Sequence, residues 1–448
     1  MKKVITYGTF DLFHYGHRRL LERAKKLGDY LIVGVTAEDF DKARGKINVQ
    51  QTLMERIEAL KATGLADEII IEEYEGQKID DILRYGVDIF AIGSDWVGKF
   101  DYLKQYCEVV YLERTEGVSS SELRAENSEM RLGIVGDELP FLSKFERESR
   151  YVNGLSISGF CYLRKHDSFP ENLSLLPVVT DDFKKVVEVS DAVFLNSTPQ
   201  QHYQQIKYAL LHGCHVLCEP PISMRCEEWD ELVKLAADKG LVLMDALRTA
   251  YAMAYRRLLL LAKSGVIGRI FSVDSSITVQ RDTELKGDEL LNVRNSISTW
   301  GANSLLPVFQ LLGTDYVSKR IITHIDNEEL KYDTFTKIDF VYKDAVASIK
   351  VGKGVKTEGD LVISGTTGYI YVPAPWWKTE YFEVRREDPA NNKRYFYQLD
   401  GEGIRYELVS FVRSVQTGRS YPYINNAVSK AMVGIIEDFY SEKDLVRI

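Results

Sequence analysis

A short apolar run at residues 4–7 breaks into Gly8-Thr9-Phe10-Asp11-Leu12-Phe13-His14-Tyr15-Gly16-His17, and a helical pattern follows over 18–27. Strand, turn and helix in that order, repeated, restrict a chain to a parallel sheet with crossover helices. The repetition is present. Residues 30–36, 68–72, 89–93 and 109–111 read as further strands, and 52–62 and 79–85 as helices between them. The sequence therefore predicts a doubly wound α/β domain, with the H-x-G-H turn at the carboxyl end of its first strand. Ligands bind at such ends. A helix N-terminus there offers N–H groups and a favourable dipole to an anion.

Three other segments of this domain point to the same chemistry. Arg44-Gly45-Lys46 is a basic pair ahead of the helix at 52–62. Gly93-Ser94-Asp95-Trp96-Val97-Gly98-Lys99-Phe100-Asp101 follows a strand. Glu113-Arg114-Thr115-Glu116-Gly117-Val118-Ser119-Ser120 is a strand-to-helix turn. Together they suit nucleotidyl transfer, which needs positioning and charge stabilisation more than a covalent nucleophile. His14 and His17 would brace the α-phosphate. Lys46 and Arg114 would neutralise the triphosphate, Arg114 through its planar fork. Ser119 and Ser120 would offer hydroxyls and N–H groups at a helix start, and Mg²⁺ would accompany the triphosphate. Trp96 reads equally as a packed aromatic or a ligand contact, and Lys99 as a solvated lysine.

Residues 1 to 125 resemble the glycerol-3-phosphate cytidylyltransferase family. Y-G-T-F-D-x-x-H-x-G-H, D-W-x-G-K-F-D and E-V-V-Y-L-x-R-T-x-G-[IV]-S occur in order. The resemblance implies CTP as the nucleotide. Thr9, Phe10, Asp11, Gly16, Ser119 and Ser120 would lie around the phosphates, and Asp95, Arg114 and Thr115 near the nucleoside. It also implies a role in teichoic-acid or capsule synthesis in a bacterial cytoplasm. One departure concerns the acceptor. Teichoic-acid members carry an arginine in the turn before Asp67-Glu68, where this chain reads Ala62-Thr63-Gly64-Leu65-Ala66. Glycerol 3-phosphate or a related alditol phosphate is the expected acceptor.

With 448 residues, more than one domain is required. The polar stretch 125–129 suggests a boundary, giving domains at 1–127, 130–250 and 251–448. Strand-like runs at 132–135, 192–196, 215–218 and 242–245 predict a Rossmann-like second domain. Longer runs at 270–279, 335–342, 345–351 and 369–372 predict an α+β third domain with an open, mainly antiparallel sheet. Ser190-Asp191-Ala192-Val193, Thr198-Pro199, His202, the 209–219 segment, 264–269 and 365–370 resemble the glucose–fructose/inositol dehydrogenase family of NAD(P)-dependent oxidoreductases.

The chemistry of that family is not visible at the matching positions. A dinucleotide turn needs G-x-G-x-x-G, and this chain reads Gly136-Asp137-Glu138-Leu139-Pro140-Phe141. A carboxylate at about 4 Å from a phosphate costs on the order of 4 kcal/mol at an effective dielectric near 20, roughly three decades in affinity. The acid expected about 20 residues further on is not evident; the second strand runs out through Phe160-Cys161-Tyr162-Leu163-Arg164. The family's E-K-P triplet is Glu219-Pro220-Pro221, and its D-x-G-x-H segment is Thr299-Trp300-Gly301-Ala302-Asn303. The expectation is an oxidoreductase-like domain that has lost redox activity and does not bind NAD(P). Trp376-Trp377 suggests packed aromatics or the wall of a polyol pocket.

A net charge of −9 argues against nucleic acid as a partner. No apolar run reaches membrane-spanning length, and the N-terminal run enters a strand with no leader-like stretch. The five cysteines are scattered; Cys214 and Cys218 lack a second half-site for zinc, so reduced thiols and no protein-held metal are expected. Both resembled families form dimers or higher closed assemblies, so a homo-oligomer, a dimer first, is expected. The leading reading is a cytidylyltransferase making a CDP-alditol. The alternatives are a bifunctional enzyme that first reduces a ketose phosphate with NAD(P)H, and a non-catalytic scaffold.

Overall fold

A computed structural model describes residues 1–37, 49, 51–73, 76–113, 129–164, 168–280, 294–397, 399–418 and 423–448. Lys46, Arg114, Thr115, Ser119 and Ser120 lie outside the described residues, as does the side chain of Asp95. The chain divides into two compact units, Met1–Glu129 and Met130–Ile448.

In the first unit β1 (Lys3–Gly8), α1 (Tyr15–Lys25), β2 (Tyr30–Thr36), α2 (Leu53–Lys61), β3 (Glu68–Glu72), α3 (Gln77–Tyr85), β4 (Ile89–Gly93) and β5 (Glu108–Leu112) form a five-stranded sheet. Its order is β3-β2-β1-β4-β5, with every pairing parallel. Both faces of β1 are covered, so its side chains feed two cores in alternation. Val4 packs with Leu21, Ala24, Ile57 and Leu60, while Ile5 and Tyr7 pack with Ile82, Phe90 and Phe100. The order reverses between β1 and β4, which places the switch point at the end of β1.

Two helices begin earlier than the periodicity suggested. α1 starts at Tyr15 because His14 supplies the N-cap. α3 starts at Gln77, behind Gly76 in a left-handed conformation (φ 90°). α2 carries a full capping box between Thr52 and Glu55.

The second unit opens with β6 (Met130–Gly136), α4 (Leu139–Ser149), β7 (Leu155–Tyr162), β8 (Val179–Thr180), α5 (Phe183–Glu188), β9 (Ala192–Asn196), α6 (Pro199–Leu211), β10 (His215–Cys218), α7 (Cys226–Asp238) and β11 (Leu243–Asp245). Their strands form a parallel sheet of order β11-β10-β9-β6-β7-β8. The chain continues through α8 (Met253–Lys263), β12 (Ile270–Thr278), α9 (Ser296–Leu312), β13 (Ser318–Asn327), β14 (Tyr332–Val341), β15 (Val346–Gly352), β16 (Leu361–Gly365), β17 (Tyr369–Val372), β18 (Tyr381–Arg385), β19 (Lys393–Phe396), α10 (Ile404–Thr417), α11 (Asn426–Tyr440) and β20 (Leu445–Arg447). The nine-stranded sheet runs β19-β18-β17-β16-β12-β15-β14-β13-β20. It is mainly antiparallel as expected, but β12–β15 and β13–β20 pair parallel. No helix among the described residues is long and apolar enough to cross a membrane.

Candidate active site

Beyond β1 the backbone is held in a conformation that its side chains resist. Phe10 and Leu12 adopt φ of 54° and 48°, the left-handed region that costs ordinary L-residues of order 1 kcal/mol or more. The Phe10 ring folds back so closely that a Cβ on Gly8 would lie 3.0 Å from it. The turn is tied down from α2. Asp11 Oδ1 accepts the Gln51 N–H (2.9 Å), and the Gln51 side chain accepts the Leu12 N–H (2.7 Å). Arg56, fully buried, donates to the carbonyls of Thr9 (2.8 Å), Thr36 (2.9 Å) and Gln51 (3.2 Å). The guanidinium thus joins the ends of β1 and β2 to the start of α2. Sequence reasoning passed over Arg56, because an arginine in a helix ordinarily reads as a solvated one.

The two histidines meet at the start of α1. His14 Nδ1 accepts the Gly16 N–H (3.1 Å), which leaves Nε2 to carry the proton of a neutral ring. The His14 and His17 rings stack with centroids 3.9 Å apart, and His17 is bracketed by Phe10 (5.5 Å) and Phe13 (5.7 Å). The structure therefore brings Thr9, Phe10, Asp11, His14, Gly16 and His17 into one turn at the switch point.

Behind this turn lies a buried polar network. Lys78, in the first turn of α3, pairs with Glu72 at the end of β3, both nearly inaccessible to water. Thr36 donates to Glu72 (3.1 Å), and Tyr7 donates to Asp81 (2.8 Å), which also accepts from Gln77 (3.1 Å). Lys78 Nζ sits 4.6 Å from the Tyr7 ring centroid. Burial and the Asp81 carboxylate drive the Tyr7 phenol far above its ordinary range. Lys78 is a second functional candidate that the sequence reading missed. After β4, Trp96 packs on Phe100 (5.7 Å), and the exposed Lys99 lies over its ring (5.1 Å). In the turn before Asp67, Thr63 donates to the Leu60 carbonyl (2.7 Å), while Asp67 pairs with Lys25.

In the second unit the turn after β6 departs from a pyrophosphate cradle. Gly136 is kept by strand packing, since a Cβ there would meet the Asn196 carbonyl at 2.8 Å. Glu138 precedes α4 without a side-chain cap, and Pro140 removes an N–H from the first turn. Phe141 lies beneath the Arg248 guanidinium (4.7 Å). Asp137 is buried and paired with Arg164 (3.1 Å) just past β7. Burial nonetheless pushes its carboxyl above the usual range, opposed by Arg164. This donor set does not fit a dinucleotide pyrophosphate. Glu219 follows β10, and burial likewise lifts its carboxyl, opposed by Arg248 and Arg294. The aromatic pair divides: Trp376 is fully buried and donates to the Ser276 carbonyl (3.1 Å), whereas Trp377 is half-buried and faces Trp300 (5.8 Å). The five cysteines are free thiols. Among the described residues no group of three or more His, Cys, Asp or Glu is placed to hold a metal.

A helix-start turn with paired imidazoles, at the switch point of a five-stranded parallel sheet, marks a nucleotidyltransferase. Residues 5–126 match the cytidylyltransferase-like family model. The glycerol-3-phosphate cytidylyltransferase of Bacillus spizizenii is 53% identical over 124 residues, 28% of this chain and 95% of that protein. That of Staphylococcus aureus is 46% identical over 126 residues, again 28% of this chain and 95% of the relative. Through its first unit the chain belongs to the glycerol-3-phosphate cytidylyltransferase family. As a nucleotidyltransferase it is an enzyme, which removes the scaffold alternative.

Residues 163–246 match the NAD-binding Rossmann model of an oxidoreductase family; the match begins beyond β6 and its turn. A 3-ketoreductase from Actinomadura kijaniata, solved with NADP and TDP-benzene, superposes with a TM-score of 0.61 at 15% identity, covering 72% of this chain and 99% of that one. A UDP-N-acetylglucosamine 3-dehydrogenase from Acidithiobacillus ferrooxidans gives 0.57 at 14%, covering 70% and 98%. These likenesses fix the fold of the second unit.

Proposed function

We propose that the first unit transfers a cytidylyl group from CTP to glycerol 3-phosphate or a related alditol phosphate, and that the second keeps an oxidoreductase fold without hydride chemistry. The observation that carries the first half is the strained turn from Thr9 to His17, set at a helix N-terminus, in a unit about half identical to named glycerol-3-phosphate cytidylyltransferases. An acceptor phosphate oxygen attacks the α-phosphorus. The bond to the bridging oxygen breaks, and pyrophosphate leaves with that electron pair. His14 and His17 donate N–H bonds to the α-phosphate and the bridging oxygen as charge builds there. Lys46 and Arg114 hold the remaining phosphate charge. Ser119, Ser120 and Thr9 complete the phosphate contacts, and Asp95 with Thr115 seats the nucleoside. Mg²⁺ would accompany the triphosphate and offset part of its charge. The product would feed a surface polymer such as teichoic acid or capsule, from the cytoplasm.

The second half rests on Glu138, Pro140 and Phe141 in the turn, Pro220 in place of a lysine, and Asn303 in place of a histidine. We take 130–250 and 251–448 as its two domains, acting as a dimerising body. The fold shared with NADP-bound reductases favours one rival: reduction of a ketose phosphate before cytidylylation.

Pyrophosphate release from CTP tests the first half, with glycerol, erythritol, ribitol and sorbitol phosphates as acceptors and His14→Ala as control. Activity with one acceptor, lost in the variant, is expected; no activity with any of them defeats it. Fluorescence titration with NADH and NADPH tests the second half. No saturable binding is expected, and tight binding would restore the bifunctional reading.

A further inference from the structure

The switch point of the second unit, between β6 and β9, holds more buried polar side chain than its own hydrogen bonds satisfy. Arg294, just ahead of α9, donates Nη2 to the Ser197 carbonyl (2.6 Å), yet its Nε is buried without a partner. Beside it Asn196, the last residue of β9 and 3% exposed, leaves Oδ1 without one. Glu407 on α10, 1% exposed, leaves Oε2 unpartnered, and Trp300 on α9 leaves its indole Nε1 so. Native interiors rarely carry such groups unless a water or ligand meets the need.

These groups belong to one locality. The charges of Arg248 and Arg294 both act on Glu219, and those of Glu219 and Arg248 act on Glu407. Thr249, next to Arg248, donates to the Trp377 carbonyl (2.9 Å) and lies 3.1 Å from the Asn303 amide. Trp377 in turn faces Trp300. The set therefore holds both donors (Arg294 Nε, Trp300 Nε1) and acceptors (Asn196 Oδ1, Glu219), together with guanidinium charge and the Trp300–Trp377 pair. Adjacent hydroxyls each donate and accept, and so need partners of both kinds. A guanidinium matches a phosphate.

We propose that this switch point binds a phosphorylated polyol where the related fold carries a dinucleotide. The proposal rests on the reading that the second unit does not bind NAD(P). Two sources share the chemistry: the free alditol phosphate acceptor and the CDP-alditol product.

Calorimetry and tryptophan fluorescence on the full chain separate the outcomes, with glycerol 3-phosphate, CDP-glycerol and inorganic phosphate as probes. Two binding events per chain are expected for the phosphorylated polyol, one of them weakened at least tenfold in Arg294→Gln, with the associated fluorescence change lost in Trp300→Phe. A second event with glycerol 3-phosphate assigns the acceptor; one with CDP-glycerol alone assigns the product. A single event, unchanged in both folded variants, would mean that water alone serves these atoms and would overturn the site. Inorganic phosphate binding as tightly would overturn its polyol half. NADPH titrated alongside keeps the two readings apart: saturable NADPH binding removes the underlying reading, whereas its absence together with a single polyol event removes only this site.

Discussion

The imidazole rings of His14 and His17 stack with centroids 3.9 Å apart and planes 23° from parallel. Both rings stand at the positive end of α1, where an anion such as a phosphate is favoured. His14 also caps the helix through Nδ1, so its alanine variant mixes two effects. His14→Asn separates them, because asparagine is a strong N-cap whose Oδ1 can accept the Gly16 N–H. Its melting temperature is expected to stay close to that of the parent. Its kcat for pyrophosphate release should fall by roughly 10²–10⁴, with a much smaller change in KM for CTP.

Arg56 meets three carbonyls with one guanidinium. Arg56→Met removes a charged donor from Thr9, Thr36 and Gln51 together. Denaturant titration should show a loss of about 2–4 kcal/mol. The released turn should also raise KM for CTP. Arg56→Lys, with a compact ammonium that cannot span all three, should recover only part of either effect.

The division between what the sequence disclosed and what it hid follows the range of the interactions. β1, β2, β3 and β4 were legible because an apolar run between turns is a local signal. The turn from Thr9 to His17 was legible because its residues are contiguous. Arg56 and Lys78 were not. Each lies on a helix among charged neighbours, and only the packing of α2 and α3 against strand ends buries them. Trp376 and Trp377 were indistinguishable as a dipeptide, since the ring that each one meets comes from elsewhere in the chain. Arg294 likewise gained meaning only when α9 brought it to the Ser197 carbonyl. The starts of α1 and α3 were set by a capping side chain and a left-handed glycine, which hydrophobic period does not register.

Glu72 and Lys78 form a pair almost closed to water. Losing one partner strands the other charge, at about 3–5 kcal/mol. Glu72→Gln and Lys78→Met should each be strongly destabilising. The double variant should cost clearly less than the sum, by roughly 2 kcal/mol or more in a double-mutant cycle. An additive cycle would show that the two side chains act separately. Kinetics on the same proteins add a second test: a contact between Lys78 and the acceptor would raise KM for glycerol 3-phosphate in Lys78→Met and leave KM for CTP alone.

Asp245 ends β11 within the second unit, and burial pushes its carboxyl up to about 6 from 3.8, opposed by a hydrogen bond from Ser429. The folded chain therefore holds a proton that the unfolded chain has already released. That contribution to stability is complete below about pH 4 and is lost as pH rises through about 6, a change of roughly 3 kcal/mol for a two-unit shift. Asp245→Asn stays neutral throughout and escapes the loss. The variant should gain stability over the parent from about pH 4 to pH 6 and level off above about pH 7, by up to about 3 kcal/mol in urea titrations. Asp333, also raised to about 6 by burial but bound by Thr336 and the Ile297 N–H, remains in both proteins and cancels in the comparison. A difference that is flat with pH would mean that Asp245 is ionised in the folded chain across that range.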